Sequence, residues 1–192
     1  MYELFFKKMN EKISLDAKEQ ELIKSYLQPK KIRKNQYLLQ EGDDCRFVAF
    51  VEKGALRQYT LDEDGGVHIL QFAIEGWTIS DLYSFLTGEN STYTIDALED
   101  AELVLIDRHA HEELLKTLPK YETYTRLQMT GAYLAMQKRL SAIIGMTLED
   151  RYKAFIDLYP DITRRVPQHM VASYLGLQPE TLSRIRKKIA GK

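Results

Sequence analysis

The chain has 192 residues, of which 44% are hydrophobic and 29% charged. This composition is typical of a globular protein that buries one large or two small cores. The net charge of −1 argues against non-specific binding of polyanions by the whole surface. Residues 164–192, however, contain seven of the 27 basic residues and one of the 28 acidic residues. The remaining 20 basic and 27 acidic residues precede them, and a basic end on an acidic body predicts a localised anionic partner.

The single cysteine and the absence of long apolar runs indicate a cytoplasmic protein. Cys45 has no second cysteine with which to form an internal disulfide, and it cannot supply the four ligands of an iron–sulfur cluster. The amino terminus, MYELFFKKMN, lacks the hydrophobic core of a signal peptide. No apolar run approaches the roughly 20 residues of a membrane span.

The first half of the chain predicts a helix followed by short strands. Residues 15–27 have helical periodicity after Ser14 as a candidate N-cap, and Pro29 ends the pattern. Six β-rich runs separated by turn residues then occupy 36–40, 46–52, 55–61, 67–73, 92–98 and 101–107. A short helix over residues 81–88 interrupts them. Many short strands at this spacing predict a jelly-roll barrel.

The second half has helical periodicity. A short helix over residues 109–118 ends at Pro119, and a long helix follows over 121–144. Its apolar residues at spacings of four and three form a coiled-coil seam, namely Met129, Tyr133, Met136, Leu140 and Ile143. A second apolar line contains Leu127, Gly131 and Leu134. We assign one line to the barrel and the other to a second subunit; the alternative is that both pack within one chain.

Residues 147–159 predict a further helix with Thr147 as its N-cap, and the basic segment follows it. Within Val166–Lys188, Pro167 and Pro179 suit the first positions of two helices, and Gly176 suits the left-handed turn between them. Leu182, Ile185 and Ile189 give the second helix one apolar face, opposite a polar and basic one. The spacing is that of a helix-turn-helix.

With these parts in this order, the whole chain resembles the Crp/Fnr family of bacterial transcription regulators. The resemblance rests on Glu41-Gly42, Phe47-Val48, Lys53-Gly54, Gly76-Trp77-Thr78-Ile79 and the ETLSRI segment at 180–185. It implies an α+β chain with a jelly-roll sensor domain at 1–118, a dimerisation helix at 119–145 and a helix-turn-helix domain at 146–192. It also implies homodimerisation, double-stranded DNA as partner, a small-molecule effector and contact with RNA polymerase.

The effector site departs from the pattern of relatives that bind cyclic nucleotides. Where these carry Gly-Glu for the sugar and Arg-Ser or Arg-Thr for the phosphate, this chain has Ser80-Asp81 and Ser91-Thr92. Without the arginine a cyclic phosphate lacks its charge partner, so we expect no useful binding of cyclic AMP. The candidate effector pocket comprises Trp77, Ser80, Asp81, Leu82, Tyr83, Ser91 and Thr92; core packing is the alternative for its aromatic residues. No cofactor is identified, although haem binding at His68 stays open.

The resemblance places Glu180 and Arg184 at positions that contact base edges. Arginine can fork onto guanine and glutamate can accept from cytosine, while Pro179 replaces an arginine common in relatives and implies a changed half-site. Candidates for phosphate or secondary contacts are Gln178, Thr181, Ser183, Lys187, Lys188, His169 and Ser173. For the two lysines, a solvated helix end is an equal alternative. The sequence stops at Ala190-Gly191-Lys192, so we expect no β-hairpin wing after the second helix.

Two other functions compete with this interpretation. A cupin-type metal enzyme would need converging histidines, but His109 and His111 lie two apart on a predicted helix and therefore point in different directions. We expect neither a metal site nor enzymatic activity. A sensor module that binds a protein partner through its last helices remains the other alternative, and the basic segment argues against it.

Overall fold

The computed structural model describes residues 2–190, which form two compact units. Within this range, one contains residues 2–60 and 71–130, and the other contains residues 61–70 and 131–190. The sequence-based division, by contrast, has three segments with boundaries at 118/119 and 145/146. None of the helices between residues 2 and 190 combines the length and apolarity that a membrane crossing requires.

The first unit is built on two four-stranded antiparallel sheets. The strands are β1 (Gln28–Ile32), β2 (Tyr37–Leu39), β3 (Phe47–Lys53), β4 (Leu56–Leu61), β5 (Val67–Ala73), β6 (Thr78–Ile79), β7 (Thr94–Ala97) and β8 (Ala101–Asp107). One sheet has the order β1-β8-β3-β6 and the other β2-β7-β4-β5. The last residue of β4 and the first four residues of β5 belong to the segment 61–70 of the second unit. The six predicted β-runs all contain observed strands, and the predicted barrel-like fold is confirmed.

The sheet that contains β3 and β8 is covered on both faces. Alternate residues of β3, such as Ala49 and Val51, enter the core between the sheets, whereas Phe50 and Val104 enter a second core on the outer side. That second core is closed by α1 (Glu3–Asn10), α2 (Ala17–Ser25), α4 (Arg108–Thr117) and the start of α5 (Pro119–Gly145). Two buried faces explain why these strands have nearly continuous apolar sequences.

Several sequence predictions in this half need correction. Asp16, not Ser14, is the N-cap of α2, because its carboxylate accepts from the Glu19 amide while the Glu19 side chain accepts from the Asp16 amide. Pro29 does not simply end a helix but lies in β1, which pairs with β8. A proline is tolerated there because β1 is an edge strand. The predictions also missed α1 and β6.

The second unit contains the end of α5 and four shorter helices. These are α6 (Leu148–Leu158), α7 (Pro160–Arg165), α8 (Gln168–Leu175) and α9 (Pro179–Ala190). Thr147 is the N-cap of α6, as predicted. The short helix α7 was not predicted; it has only six residues, begins at Pro160 and ends before Val166. The buried side chains that hold α6, α8 and α9 together include Tyr152, Phe155, Val171, Leu175 and Leu182.

Candidate nucleic-acid interface and effector site

The helix-turn-helix is formed by α8 and α9. Gly176 ends α8 with φ of +68°, a conformation that glycine adopts without a steric penalty. The amide of Leu177 then donates to the carbonyl of Ala172 over 2.9 Å. Ala172 is fully buried, and its small side chain suits the close approach of the two helices. Pro167 is the cap residue of α8 and not its first helical residue, which corrects the prediction.

The apolar face of α9 anchors it to the rest of the second unit. Pro179 is the first residue of α9, as predicted. Leu182 is only 1% exposed, and Ile185 and Ile189 are half-buried. This burial fixes which side of the helix remains available. The predicted reading residues are on that side: Gln178, Pro179, Glu180, Ser183, Arg184 and Lys187 are exposed, and Thr181 is half-buried.

Lys188 differs from its neighbour Lys187 because it has an internal ion-pair partner. Its Nζ lies 2.6 Å from Oε2 of Glu149, in the first turn of α6, and Lys153 contacts the other oxygen at 3.1 Å. Hydrogen bonds from Lys188 and Lys153 lower the pKa of Glu149 to about 2. Thr181, Arg184 and Lys188 border a shallow depression whose other side is formed by Thr147, Leu148 and Glu149.

The two residues of α8 that were predicted to approach a DNA backbone have different surroundings. His169 is exposed. The hydroxyl of Ser173 donates to the carbonyl of Val67 over 2.6 Å and accepts from the amide of Ile69 over 2.9 Å. It is therefore engaged within the second unit by the segment 61–70. Gly191 and Lys192, which belong to the predicted wingless end, lie outside the described residues.

At the candidate effector site, the residues that replace the cyclic-nucleotide motif bond to each other. Asp81 and Ser91 are each 3% exposed. One oxygen of Asp81 accepts from the Ser91 hydroxyl over 2.7 Å, and the other accepts from the amide of Ser84. That second bond makes Asp81 the N-cap of α3 (Leu82–Thr87). The side chains at the former sugar and phosphate positions thus stabilise the loop itself.

Arg108 is a second support of this loop, and no sequence pattern indicated this role. Its guanidinium donates to the carbonyl of Phe85 over 2.7 Å, to the carbonyl of Ser84 over 3.1 Å and to Asp44 over 2.7 Å. Arg46 also donates to Asp44, and these two arginines lower the pKa of the Asp44 carboxyl. Arg108 therefore fastens the last turn of α3 to the segment before β3.

The remaining pocket candidates do not converge. Trp77 is half-buried and packs against the core between the sheets, while Leu82, Tyr83 and Thr92 are exposed. The core between the sheets is itself filled by aliphatic side chains and Phe85. His68, where the sequence left haem binding open, is an exposed residue whose Nε2 lies 2.7 Å from Asp62.

The paired histidines of α4 point in different directions, as expected for residues two apart on a helix. His111 is buried, its Nδ1 lies 2.9 Å from the hydroxyl of Tyr121, and its ring contacts Phe85 edge to face. Burial lowers the pKa of His111, which favours the neutral ring. Between residues 2 and 190, no three histidine, cysteine or acidic side chains are grouped in a way that could hold a metal ion.

The seam predicted on α5 is exposed along its whole length. The five side chains are 40% to 65% exposed, namely Met129, Tyr133, Met136, Leu140 and Ile143. Leu134, from the second apolar line, is also 49% exposed, and Gly131 is exposed. The residues of α5 that enter the apolar core are instead Tyr121 and Tyr124, near its start. Which of the two apolar lines forms the dimer seam stays a prediction.

Comparison with known proteins supports the family resemblance. Residues 29–118 match the family model "Cyclic nucleotide-binding domain". The chain is 25% identical to the fumarate and nitrate reduction regulatory protein of Vibrio cholerae, over 90% of this chain and 73% of that protein. It is also 25% identical to regulatory protein HlyX of Actinobacillus pleuropneumoniae, over 81% of this chain and 69% of that protein.

Over most of its length the chain is therefore similar to transcriptional regulators of the Crp/Fnr type. Both of these relatives are regulatory proteins. The fold of the chain is that of FixK2 from Bradyrhizobium japonicum, with a TM-score of 0.73 at 20% identity over 86% of this chain and 85% of that one. The regulator CLP of Xanthomonas campestris, which is described as responsive to c-di-GMP, has the same TM-score at 17% identity over 92% of both chains.

Proposed function

We propose that the chain is a Crp/Fnr-type regulator that binds double-stranded DNA sequence-specifically as a homodimer, with α9 of each subunit in the major groove. The observation that carries the proposal is the division of α9 into a face buried through Leu182 and an exposed face with Glu180 and Arg184. These two side chains are four residues apart and therefore project from the same side of the helix. A protein that reads chromosomal DNA in this way works in the cytoplasm.

The chemistry of this face suits base recognition. Arg184 can donate two hydrogen bonds to O6 and N7 of a guanine, and Glu180 can accept from N4 of a cytosine. Each good contact discriminates against the wrong base by about 1–3 kcal/mol. Pro179 has no amide hydrogen and no polar side chain, so Glu180 and Arg184 are the main residues that read the bases of the half-site.

Phosphate contacts come from the residues around the reading pair. Gln178, Ser183 and Lys187 are exposed and can reach the backbone on either side of the groove. Lys188 is a weaker candidate, because a phosphate contact requires its ion pair with Glu149 to break. His169 extends the same surface onto α8. Such contacts set the orientation of the helix and make binding dependent on salt.

Dimerisation through α5 follows from its exposed apolar seam. Tyr133 and Met136 are 62% and 65% exposed, and contiguous apolar surface of this kind is characteristic of interaction sites. The heptad spacing selects a second copy of the same helix as the partner. Two helix-turn-helix units then match a two-fold DNA site.

The dimer is tested by sedimentation. We expect Met136→Asp to shift the protein from dimer to monomer, because it would bury two carboxylates at the centre of the seam. Ala135→Asp adds the same charge to an exposed position off the seam and should leave the dimer intact. Equal effects of the two substitutions would contradict an interface built on the seam.

Regulation does not operate through cyclic AMP. Asp81 and Ser91 support this proposal, because their side chains are buried and bonded to each other at the positions where a sugar and phosphate would be held. Titration calorimetry of the dimer with cyclic AMP is expected to give no binding heat. Micromolar binding would contradict the proposal.

DNA binding itself is tested by selection from a random duplex pool. The expected product is a two-fold symmetric sequence with guanine or cytosine at the positions of the reading pair in each half-site. Binding of the selected duplex should weaken steeply as salt increases. Recovery of no enriched sequence, together with salt-independent retention, would favour a protein partner over DNA.

A further inference from the structure

Arg139 of α5 lies at a junction of three segments of the second unit. Its guanidinium donates to the carbonyls of Leu70 over 2.5 Å, of Tyr174 over 2.8 Å and of Ile69 over 3.5 Å. It also stacks over the ring of Tyr174 at 4.0 Å from the centroid. One side chain thus joins the long helix, the segment 61–70 and the last turn of α8. We call this set the Arg139 junction.

Ser173 completes the junction from the other side. Its hydroxyl accepts from the amide of Ile69 and donates to the carbonyl of Val67, the two residues that flank His68. A donor and an acceptor of the same backbone segment are therefore satisfied by one hydroxyl. Removing that hydroxyl would leave both groups without this partner, a more costly change than the loss of a single surface bond.

The position of these contacts along α8 gives them their significance. Ser173 and Tyr174 are in the last turn before Gly176, where the chain turns toward α9. The next carbonyl, that of Leu175, accepts from Arg151 of α6 over 3.2 Å. The end of α8 is consequently held by two arginines from outside the helix-turn-helix. A small rotation at this point would be carried directly into the direction of the reading helix.

We propose that Arg139 and Ser173 are positioning residues for DNA reading, which act by fixing the last turn of α8 to α5 and to the segment 61–70. The inference rests on the proposed DNA-binding function and deepens it. The two residues touch no base. They restrict the orientations in which Glu180 and Arg184 meet the groove, so they contribute to specific binding and not to the general attraction for phosphates.

The test compares specific and non-specific binding by five variants. Fluorescence anisotropy is measured for Arg139→Ala, Ser173→Ala, Ser173→Thr, the double alanine variant and the control Lys138→Ala. Each is measured with the duplex selected by the wild-type protein and with a scrambled duplex. Lys138 is exposed, adjacent to Arg139 and equally charged. The control therefore removes the same charge from the same helix without disturbing the junction.

We expect Arg139→Ala and Ser173→Ala each to weaken binding of the selected duplex about tenfold, the effect of about 1.4 kcal/mol. Binding of the scrambled duplex and the salt dependence should change little. Because both residues act through one junction, the double variant should lose less than the product of the two single effects. Ser173→Thr keeps the hydroxyl and should retain most of the affinity. Lys138→Ala should bind the selected duplex like the wild type.

Three results would overturn the inference while leaving DNA binding intact. The first is wild-type affinity for the selected duplex in both Arg139→Ala and Ser173→Ala. The second is an equal loss of affinity for the selected and the scrambled duplex. The third is tighter binding by Arg139→Ala, which would show that the contacts of Arg139 inhibit DNA binding. A decrease in the salt slope would instead identify a direct phosphate contact and would equally refute positioning. If the wild type itself binds no duplex, the proposed function fails and the inference fails with it.

Hydrogen exchange provides an independent readout of the junction. The amide of Ile69 donates to the Ser173 hydroxyl, so its protection should decrease in Ser173→Ala and persist in Lys138→Ala. Unchanged protection would show that this contact does not hold the segment in solution and would overturn the proposal without any measurement on DNA.

Discussion

The ion pair of Lys188 makes two adjacent lysines experimentally distinguishable. Lys187 and Lys188 have the same charge and lie in the last turn of α9. Lys188 contacts Glu149 at 2.6 Å, whereas Lys187 has no ion-pair partner among residues 2–190. We therefore predict that Lys187 neutralises a DNA phosphate and that Lys188 does not.

The magnitude follows from counterion release. Each phosphate neutralised on duplex DNA contributes about 0.9 to the slope of log K against log salt, and a dimer presents each lysine twice. Lys187→Ala should therefore reduce the slope by about 1.8. As salt rises from 50 to 200 mM, the affinity of Lys187→Ala should therefore fall roughly tenfold less than the affinity of the wild type. Lys188→Ala should leave the slope almost unchanged.

The assay is anisotropy of the selected duplex at several salt concentrations. Glu149→Gln removes the partner of Lys188 and serves as the reciprocal variant, for which we expect a steeper slope than that of the wild type. Equal reductions in Lys187→Ala and Lys188→Ala would refute the reasoning, because they would mean that the ion pair does not withhold Lys188 from DNA.

Three further predictions concern the protein without DNA. Gly176→Ala should destabilise the fold by about 1 kcal/mol, because φ of +68° strains any residue with a Cβ. Gly176→Asn should destabilise it less. Equal denaturation midpoints for the wild type and the two variants would contradict this prediction. The Glu149 carboxyl should titrate near pH 2 by NMR, because its ion pairs lower its pKa. Its contribution to stability is therefore present above the ordinary pKa of 4.5 and is lost as the pH falls toward 2. An unchanged titration midpoint of Glu149 in Lys188→Ala would contradict this cause. Arg108→Ala should destabilise the protein by about 1–3 kcal/mol, since it removes charge-assisted bonds to Ser84, Phe85 and Asp44. The control is Arg46→Ala, which changes an exposed arginine that also contacts Asp44. Similar losses of stability in the two variants, measured by urea denaturation, would contradict the role of Arg108 in holding the loop.

The features that the sequence could predict are those with a local period or a local turn signal. Short β-rich runs separated by glycine and acidic residues indicated six strands, and the spacing around Gly176 indicated the helix-turn-helix. The elements that were missed lacked such a signal. The strand β1 contains a proline and two lysines, and only its position at the sheet edge makes these residues acceptable.

The contacts that shape the candidate sites join residues far apart in the chain. Lys188 and Glu149 are 39 positions apart, and Arg139 reaches the carbonyl of Leu70 across 69 positions. In the sequence, Lys188 and Arg139 look like solvated charges on the surface of a helix. Helical periodicity shows only which residues are neighbours on the same helix and not which distant residues they contact. The loss of the phosphate-binding arginine at Ser91 was readable from the sequence. The hydrogen bond by which Asp81 engages Ser91 was not.

The most direct test of DNA reading by α9 is the binding of the selected duplex by Arg184→Ala, measured together with the oligomeric state. We predict that this variant loses about 1–3 kcal/mol of binding free energy, that discrimination relaxes at one base pair of each half-site, and that the dimer stays intact. An unchanged binding isotherm with unchanged base preference would contradict the assignment of Arg184 to the reading face.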